Sequence, residues 1–544
     1  MGGSQQHVAA ASLGLAAALC IPLVLVVRYR KSRAYPIAAR ALNKPVMERT
    51  PPATTTAAAV RRAPEEDEQV FSLYGRSDGD SNVDAERLAP PIELSGNVLA
   101  LLDSFDVDPV RGFLPPVDPL RRLPQRELQP WEAMAAALPS LLAVGQARKP
   151  LEELPELSID VLTCQRERMR ALLLLCVFAH ASVWGNPEQP QGTIPKSIAV
   201  PLAALAAAEG MPPLLTHTSL VLHNWHRLDP AGPLRTENLA CNCHFLGGLD
   251  ETWFYISTVE IEARGGGVFG ALLEAQHAIA EADSGSDAST AAGVVLDALA
   301  VACAGIVSMR EALARMPVGC HPLIFYQRVR PFLSGWKANP TLPDGVVYEG
   351  VSSKRRQYYG GSAAQSTLFP ALDAALEVSH SAHSSNAFLL EMRKYMPPGH
   401  RRLLEHLADP ACPSIRRFVQ NFARRRSQAL PSKSGGAGTG GDTPDDVTVK
   451  NGETTSGNGC RGGDTTAAAA LKEAYNSCLG ALSDFRSTHL GIVGSYILQQ
   501  QKKDQKAGEA KSREDFAGGK GTGGTPLLDF LKPLKNDSRA VRLE

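Results

Sequence analysis

The run LKEAYNSCLGALSDFRSTHLGIVGSYIL, residues 471–498, holds no proline and is followed by Gln499-Gln500-Gln501-Lys502-Lys503. Such a run predicts a helix of several turns. Cys478, Leu482, Phe485, His489, Val493 and Tyr496 recur every three or four residues and so lie along one stripe. His489 sits inside that stripe. An imidazole among apolar side chains is either a satisfied core residue or an axial ligand to haem iron, and this helix alone leaves both readings open. The glycine-rich run Gly521-Thr522-Gly523-Gly524-Thr525 comes later and lacks the spacing and lysine of a phosphate-binding loop.

Outward from this helix the pattern stays helical. Gln165 to Val183, Glu251 to Met316, Ala371 to Ser379 and Ala387 to Tyr395 all read as helices, with Gly265-Gly266-Gly267 as a break in the second. The fold class expected is therefore mainly α. Between Ile92 and Phe245 helices alternate with proline-marked loops such as Asn186-Pro187-Glu188-Gln189-Pro190, which predicts a smaller N-terminal domain over 93–245 with a minor sheet. A larger helical domain is expected over 246–544. Within it, residues 427–466 are dominated by Gly, Ser, Thr and Asp, bury too little to offset ordering entropy, and read as a disordered insertion. Residues 34–92 mix proline, threonine and alanine with an acidic run from Glu65 to Glu68, and read as a tether. No repeat of fixed period supports a solenoid.

Acidic and basic residues balance at 56 each, so no overall field favours nucleic acid. Ten cysteines are scattered, and Cys241, Cys243 and His244 form no repeated zinc spacing, so free thiols in a reducing compartment are expected. The first 33 residues differ. Val8 to Val27 is apolar enough and long enough to span a bilayer, and Arg28, Arg30, Lys31 and Arg33 follow it. The positive-inside rule then predicts a membrane anchor through residues 8–27 with the rest of the chain in the cytoplasm. Targeting to the mitochondrion or another organelle is the alternative, because no acidic residue precedes Glu48.

Several segments share one order with a known family. Leu157-Ser158-Ile159-Asp160 and Val183-Trp184-Gly185 come first, then the stretch from Ser334-Gly335-Trp336 through Tyr348-Glu349-Gly350. Gly360-Gly361-Ser362-Ala363-Ala364-Gln365-Ser366, Met396-Pro397-Pro398-Gly399-His400, Arg486-Ser487-Thr488-His489-Leu490 and the Gly521 to Thr525 run follow. In this ordered set the chain resembles the indoleamine 2,3-dioxygenase family over roughly residues 95 to 544. The resemblance implies a two-domain helical haem dioxygenase that uses haem b, L-tryptophan and O2 to make N-formylkynurenine, the first step of the kynurenine pathway. It also implies an electron donor that keeps the iron ferrous, and a monomer. The second reading is a family-derived haem-binding sensor without efficient tryptophan turnover.

The same resemblance assigns roles along the chain. His489 becomes the proximal iron ligand, with Arg486 one turn earlier within reach of a haem propionate or an acidic residue. Ser257 and Trp253 are expected on the distal wall, together with Phe325, Tyr326 and the substrate-carboxylate arginine, Arg330. Ser257 and Arg330 are the expected catalytic residues. Gly361, Ser362 and Ala363 would pass over the haem, and Thr522 would close the pocket near the amino-acid end of the substrate. His217 stands where the best-known members carry a pocket tyrosine, and a histidine there brings a group that gains and loses a proton near neutral pH.

Overall fold

In the computed structural model, residues 92–186, 189–380, 385–428, 461–507 and 527–544 are described. The anchor segment 8–27, the tether apart from Ile92, and Thr522 with its glycine-rich run lie outside them. The described residues all fall within one compact unit, Asn82–Glu544.

Helices dominate. The first five are α1 (Gly96–Ser104), α2 (Gln129–Ala143), α3 (Arg148–Glu152), α4 (Gln165–Trp184) and α5 (Lys196–Ala208). Then come α6 (Leu249–Arg264), α7 (Gly266–Asp283), α8 (Ala288–Ala314), α9 (Met316–Gly319) and α10 (Pro322–Ile324). The remainder are α11 (Leu368–Ala375), α12 (Ser385–Arg393), α13 (Pro398–Ala408), α14 (Ile415–Gln428), α15 (Arg461–Val493), α16 (Gln499–Ala507) and α17 (Leu527–Ala540). The strand content is small. β1 (Thr193–Ile194) runs parallel to β4 (Val346–Tyr348), which pairs antiparallel with β5 (Ser352–Arg356), while β2 (His226–Arg227) and β3 (Leu239–Ala240) form a separate ribbon.

Local chemistry sets the helix ends that matter most. Glu251, in the first turn of α6, accepts the backbone N–H groups of Phe245, Leu246 and Gly247 at 2.7, 3.0 and 2.8 Å, which ties the preceding loop to the positive end of the helix. Asp287 caps α8 by accepting from the N–H groups of Ser289 and Thr290. The break expected at Gly265 is present, and a side chain there would meet Leu368 at 2.4 Å. Of the stretch 427–466 expected to be a disordered insertion, the described ends are helical: Ser427 and Gln428 finish α14 and residues 461–466 belong to α15, while 429–460 lie outside the described residues. The alanine run Ala467–Ala470, the best helix former in the chain, continues that helix into its buried part.

Two buried clusters organise the core. The first joins Trp131, Phe178, Trp184, Trp225, Tyr255 and Trp336; the second joins Leu102, Phe269, Leu299, Leu372, Leu404, Tyr475 and Leu482. Segments from both sides of residue 245 enter each cluster. Helix α6 belongs to both, giving Tyr255, Ile256 and Val259 to the first and Ile261 to the second. Among the described helices, the span Ala288–Gly319 is long and apolar enough to cross a membrane by length and composition. It packs on α7 and α15, where Leu299 and Ile306 are fully buried in the second cluster.

Candidate active site

Helix α15 buries Leu482 and Phe485 and carries His489 one turn beyond them. His489 is half-buried, and burial pushes its imidazole down to about 4. It is therefore neutral near pH 7, and among the described residues it makes no hydrogen bond or ion pair. A neutral imidazole with an uncommitted nitrogen suits a metal ligand far better than a satisfied core histidine. Two turns on, Tyr496 sits edge-on to Phe325 with centroids 5.6 Å apart, and its hydroxyl donates to Cys320 O. Phe325 in turn packs on Phe254 at 4.6 Å.

This aromatic ladder corrects the reading of α6. Trp253 turns away from Phe325: its indole N–H donates to Arg315 O at 3.2 Å, and its ring lies against Gly319, where a Cβ would come within 2.2 Å. Ser257, one turn on from Trp253, is buried at 1% exposure, and its hydroxyl has no hydrogen-bond partner among the described residues. Phe254 and Thr258 occupy the neighbouring stripe and both are half-exposed, with Thr258 Oγ1 bonded back to Phe254 O at 2.8 Å. The residues of α6 on the Phe325 side are thus Phe254 and Thr258, displaced by one position from those expected.

Arg330 is buried, and desolvation lowers its pKa from the usual arginine value. Its guanidinium lies over the Tyr326 ring, 5.6 Å from the centroid. The turn that carries it is held by Trp184, part of the Val183-Trp184-Gly185 motif, and by His180, which sequence reasoning did not single out. Trp184 donates its indole N–H to Ser334 O at 2.7 Å, and His180 bonds Phe332 O through Nδ1 at 2.8 Å. His180 Nε2 accepts the Leu215 N–H at 3.2 Å, so Nδ1 is the protonated nitrogen, and burial lowers this imidazole to about 4. The only signal for His180 in the sequence was the apolar surrounding of α4, which reads as core.

The loop at Gly360–Ser366 is placed by backbone contact. A Cβ at Gly335 would meet Gly360 N at 2.2 Å, and one at Gly360 would meet Leu333 O at 2.1 Å, so both positions require glycine. This crossing sets Gly361, buried, with Ser362, half-buried, and Ala363, exposed, beside the turn that bears Arg330. Ser362 caps the following turn by accepting from Ala364 N–H, while Gln365 Nε2 donates to Gly360 O at 2.9 Å. His217 is bonded to this loop, its backbone N–H donating to Gln365 Oε1 at 3.0 Å. Its Nε2 pairs with Glu262 at 2.8 Å. Arg486 takes an acidic residue: it forks onto Asp373 and also donates to Leu534 O in α17.

A concavity of about 540 Å³, lined by Arg148, Glu152, Lys196, Ser197 and Glu349, contains none of these residues. The eight described cysteines are free thiols, and among the described residues no cluster of three or more His, Cys, Asp or Glu is arranged to hold a metal ion directly. A single histidine serving an iron porphyrin fits both facts.

The profile of the indoleamine 2,3-dioxygenase family matches residues 101–541. The indoleamine 2,3-dioxygenase 1 of Rattus norvegicus is 30% identical over 446 residues, covering 81% of this chain and 96% of its own length. The indoleamine 2,3-dioxygenase of Saccharomyces cerevisiae is 33% identical over 478 residues, with 81% and 94% covered. A 6-hydroxytryptophan 2,3-dioxygenase of Fusarium equiseti is 30% identical over 451 residues, with 81% and 98% covered.

Proposed function

The chain belongs to the indoleamine 2,3-dioxygenase family, and from that membership we propose that it is a haem-dependent dioxygenase that adds both atoms of O2 across the indole C2–C3 bond of L-tryptophan, giving N-formylkynurenine. The observation that carries this reading is the half-buried, neutral His489, which commits neither ring nitrogen among the described residues. Its lone pair would hold haem b from the proximal side. When bound, haem supplies the O2 activation that amino-acid side chains lack.

The remaining work is binding and orientation. Arg330, buried at the end of its turn, would take the substrate carboxylate in a charge-assisted fork. Phe254, Phe325 and Tyr326 would hold the flat indole, since ring faces and edges pack well at 4.5–7 Å. Gly361, Ser362 and Ala363 allow backbone to approach the ligand closely, and Thr522 would stand near the amino-acid end. A relative that acts on 6-hydroxytryptophan makes a substituted indole the competing substrate. The apolar segment 8–27 and its basic flank support a membrane tether with the catalytic part in the cytoplasm.

The test is anaerobic reduction of the purified haem-loaded chain with tryptophan, then O2, with N-formylkynurenine measured alongside the hydroxylated product from 6-hydroxytryptophan. Wild-type turnover of tryptophan, lost in Arg330→Ala at full haem occupancy, is expected. A fully haem-loaded wild type that yields neither product would make the chain a sensor instead.

A further inference from the structure

His217 is 4% exposed and opens the π-helical turn Thr218–Leu222. Its Nε2 lies 2.8 Å from Glu262 Oε1, and that same oxygen accepts the Ser366 hydroxyl at 2.6 Å. Glu262 follows Phe254 and Thr258 at four-residue spacing on α6, so it continues the stripe that faces Phe325. Gln365 completes the network by accepting from His217 N–H and donating to Gly360 O. Three segments that carry expected site residues are therefore joined by one buried polar network.

The chemistry of this pair is directional. An ionised carboxylate only accepts, so the shared hydrogen belongs to His217 Nε2. In a neutral imidazole that leaves the lone pair on Nδ1. Among the described residues Nδ1 has no hydrogen-bond partner, and Glu262 has no lysine or arginine beside it. A carboxylate at 2% exposure with one histidine and one serine as donors is a poor structural device and a good orienting one. The other titratable groups near His217 are His400 on α13 and His223 at the end of its own turn. Burial lowers them to about 3 and about 4, so both stay neutral near pH 7 and add no positive charge beside the pair.

We propose that Glu262 is a positioning residue that fixes His217 as the Nε2–H tautomer and leaves Nδ1 to accept the indole N–H of the substrate. This rests on the reading of the site as an indole dioxygenase. Glu262 acts through His217, which touches the substrate.

The experiment uses the haem-loaded full chain in wild-type, Glu262→Gln, Glu262→Ala, Glu262→Asp, His217→Phe and double-variant (His217→Phe, Glu262→Gln) forms. Glu262→Ala and Glu262→Gln should lower kcat for tryptophan about tenfold or more while KM changes less than about twofold, because the group acts on the reacting geometry. Glu262→Asp should restore part of the loss. In the double variant, Glu262→Gln should add nothing to His217→Phe. Nitrogen NMR of the diamagnetic ferrous carbonyl form should show the Nε2–H tautomer of His217 in wild type and its loss in Glu262→Ala. Wild-type kcat in Glu262→Ala, multiplying losses in the double variant, or an unchanged tautomer each overturn the proposal. A wild type without turnover overturns the functional reading instead, and the NMR arm still decides whether Glu262 sets the tautomer.

Discussion

Arg486 Nη2 lies 2.6 Å from both carboxylate oxygens of Asp373, one turn before His489 on the same helix. Both residues are buried, at 9% and 8% exposure. Burial pushes the Asp373 carboxyl up, but Arg486 and then His380 outweigh it and hold its pKa below the usual 3.8. Removing one member of such a pair strands the other, which costs about 3 to 5 kcal/mol. Arg486→Ala should therefore lower stability by that amount in urea titration, and Arg486→Lys, which lacks the planar fork, should fall between. An unchanged unfolding midpoint in Arg486→Ala would show the pair to be energetically neutral.

The same carboxylate begins a pH-sensitive contact. His380 bonds Asp373 through Nε2 at 3.0 Å and Asp537 of α17 through Nδ1 at 2.7 Å. Burial alone would lower this imidazole, yet the hydrogen bond and charge of Asp373, followed by Asp537, raise it above 6.5. A raised histidine contributes stability that is complete below 6.5 and fades as pH climbs through the folded value, whereas Asp373 contributes above 3.8 and fades below it. Docking of α17 on α15 should be strongest between those two values. Amide protection factors over residues 527–544, which remove the intrinsic rise of exchange with pH, should be lower at pH 8.5 than at pH 6, and His380→Gln should flatten the difference. Equal protection at both pH values would remove His380 from the contact.

The period of residues 471–498 was readable because four apolar turns surround His489, and the mainly helical class was readable from similar runs elsewhere. Helix α6 was not readable to the residue. Trp253, Phe254, Tyr255 and Ile256 are all apolar and Ser257 and Thr258 both carry hydroxyls, so polarity gives no register there. Only packing against Phe325, some 70 residues away in sequence, selects Phe254. The partners of His217 and Arg486 lie 45 and 113 residues away, and no local pattern announces them.

The register of α6 makes a paired prediction. Phe254→Ala should raise KM for tryptophan with little loss of stability beyond a half-exposed ring, whereas Trp253→Ala should cost about 3 kcal/mol through its packing on Gly319 and leave KM near wild type. Thr258→Val should likewise disturb turnover more than Ser257→Ala, whose hydroxyl is sealed away. The reverse ranking in steady-state kinetics would restore Trp253 and Ser257 to the distal wall.

Cysteine reactivity offers the remaining check on how α8 meets α15. Cys303 is half-buried on α8, and the Cys478 thiol of α15 beside it, able to donate to the Cys303 thiolate, outweighs burial and lowers the Cys303 thiol to about 7. Burial instead raises Cys243 to about 11 and Cys320 to about 12. In the resting state Cys478 Sγ donates to Leu299 O at 3.1 Å, one helical turn before Cys303. Ionisation of Cys303 therefore needs only a rotation of the Cys478 S–H from that carbonyl to the thiolate. Brief alkylation with iodoacetamide followed by peptide mapping should label Cys303 far ahead of Cys243 and Cys320, with half-maximal rate near pH 7. Cys478→Ala removes the donor, so the half-maximal pH should move upward, and each unit of that movement slows labelling at neutral pH about tenfold. If Cys303 labels at the same rate with or without Cys478, the two thiols do not communicate across the α8–α15 interface.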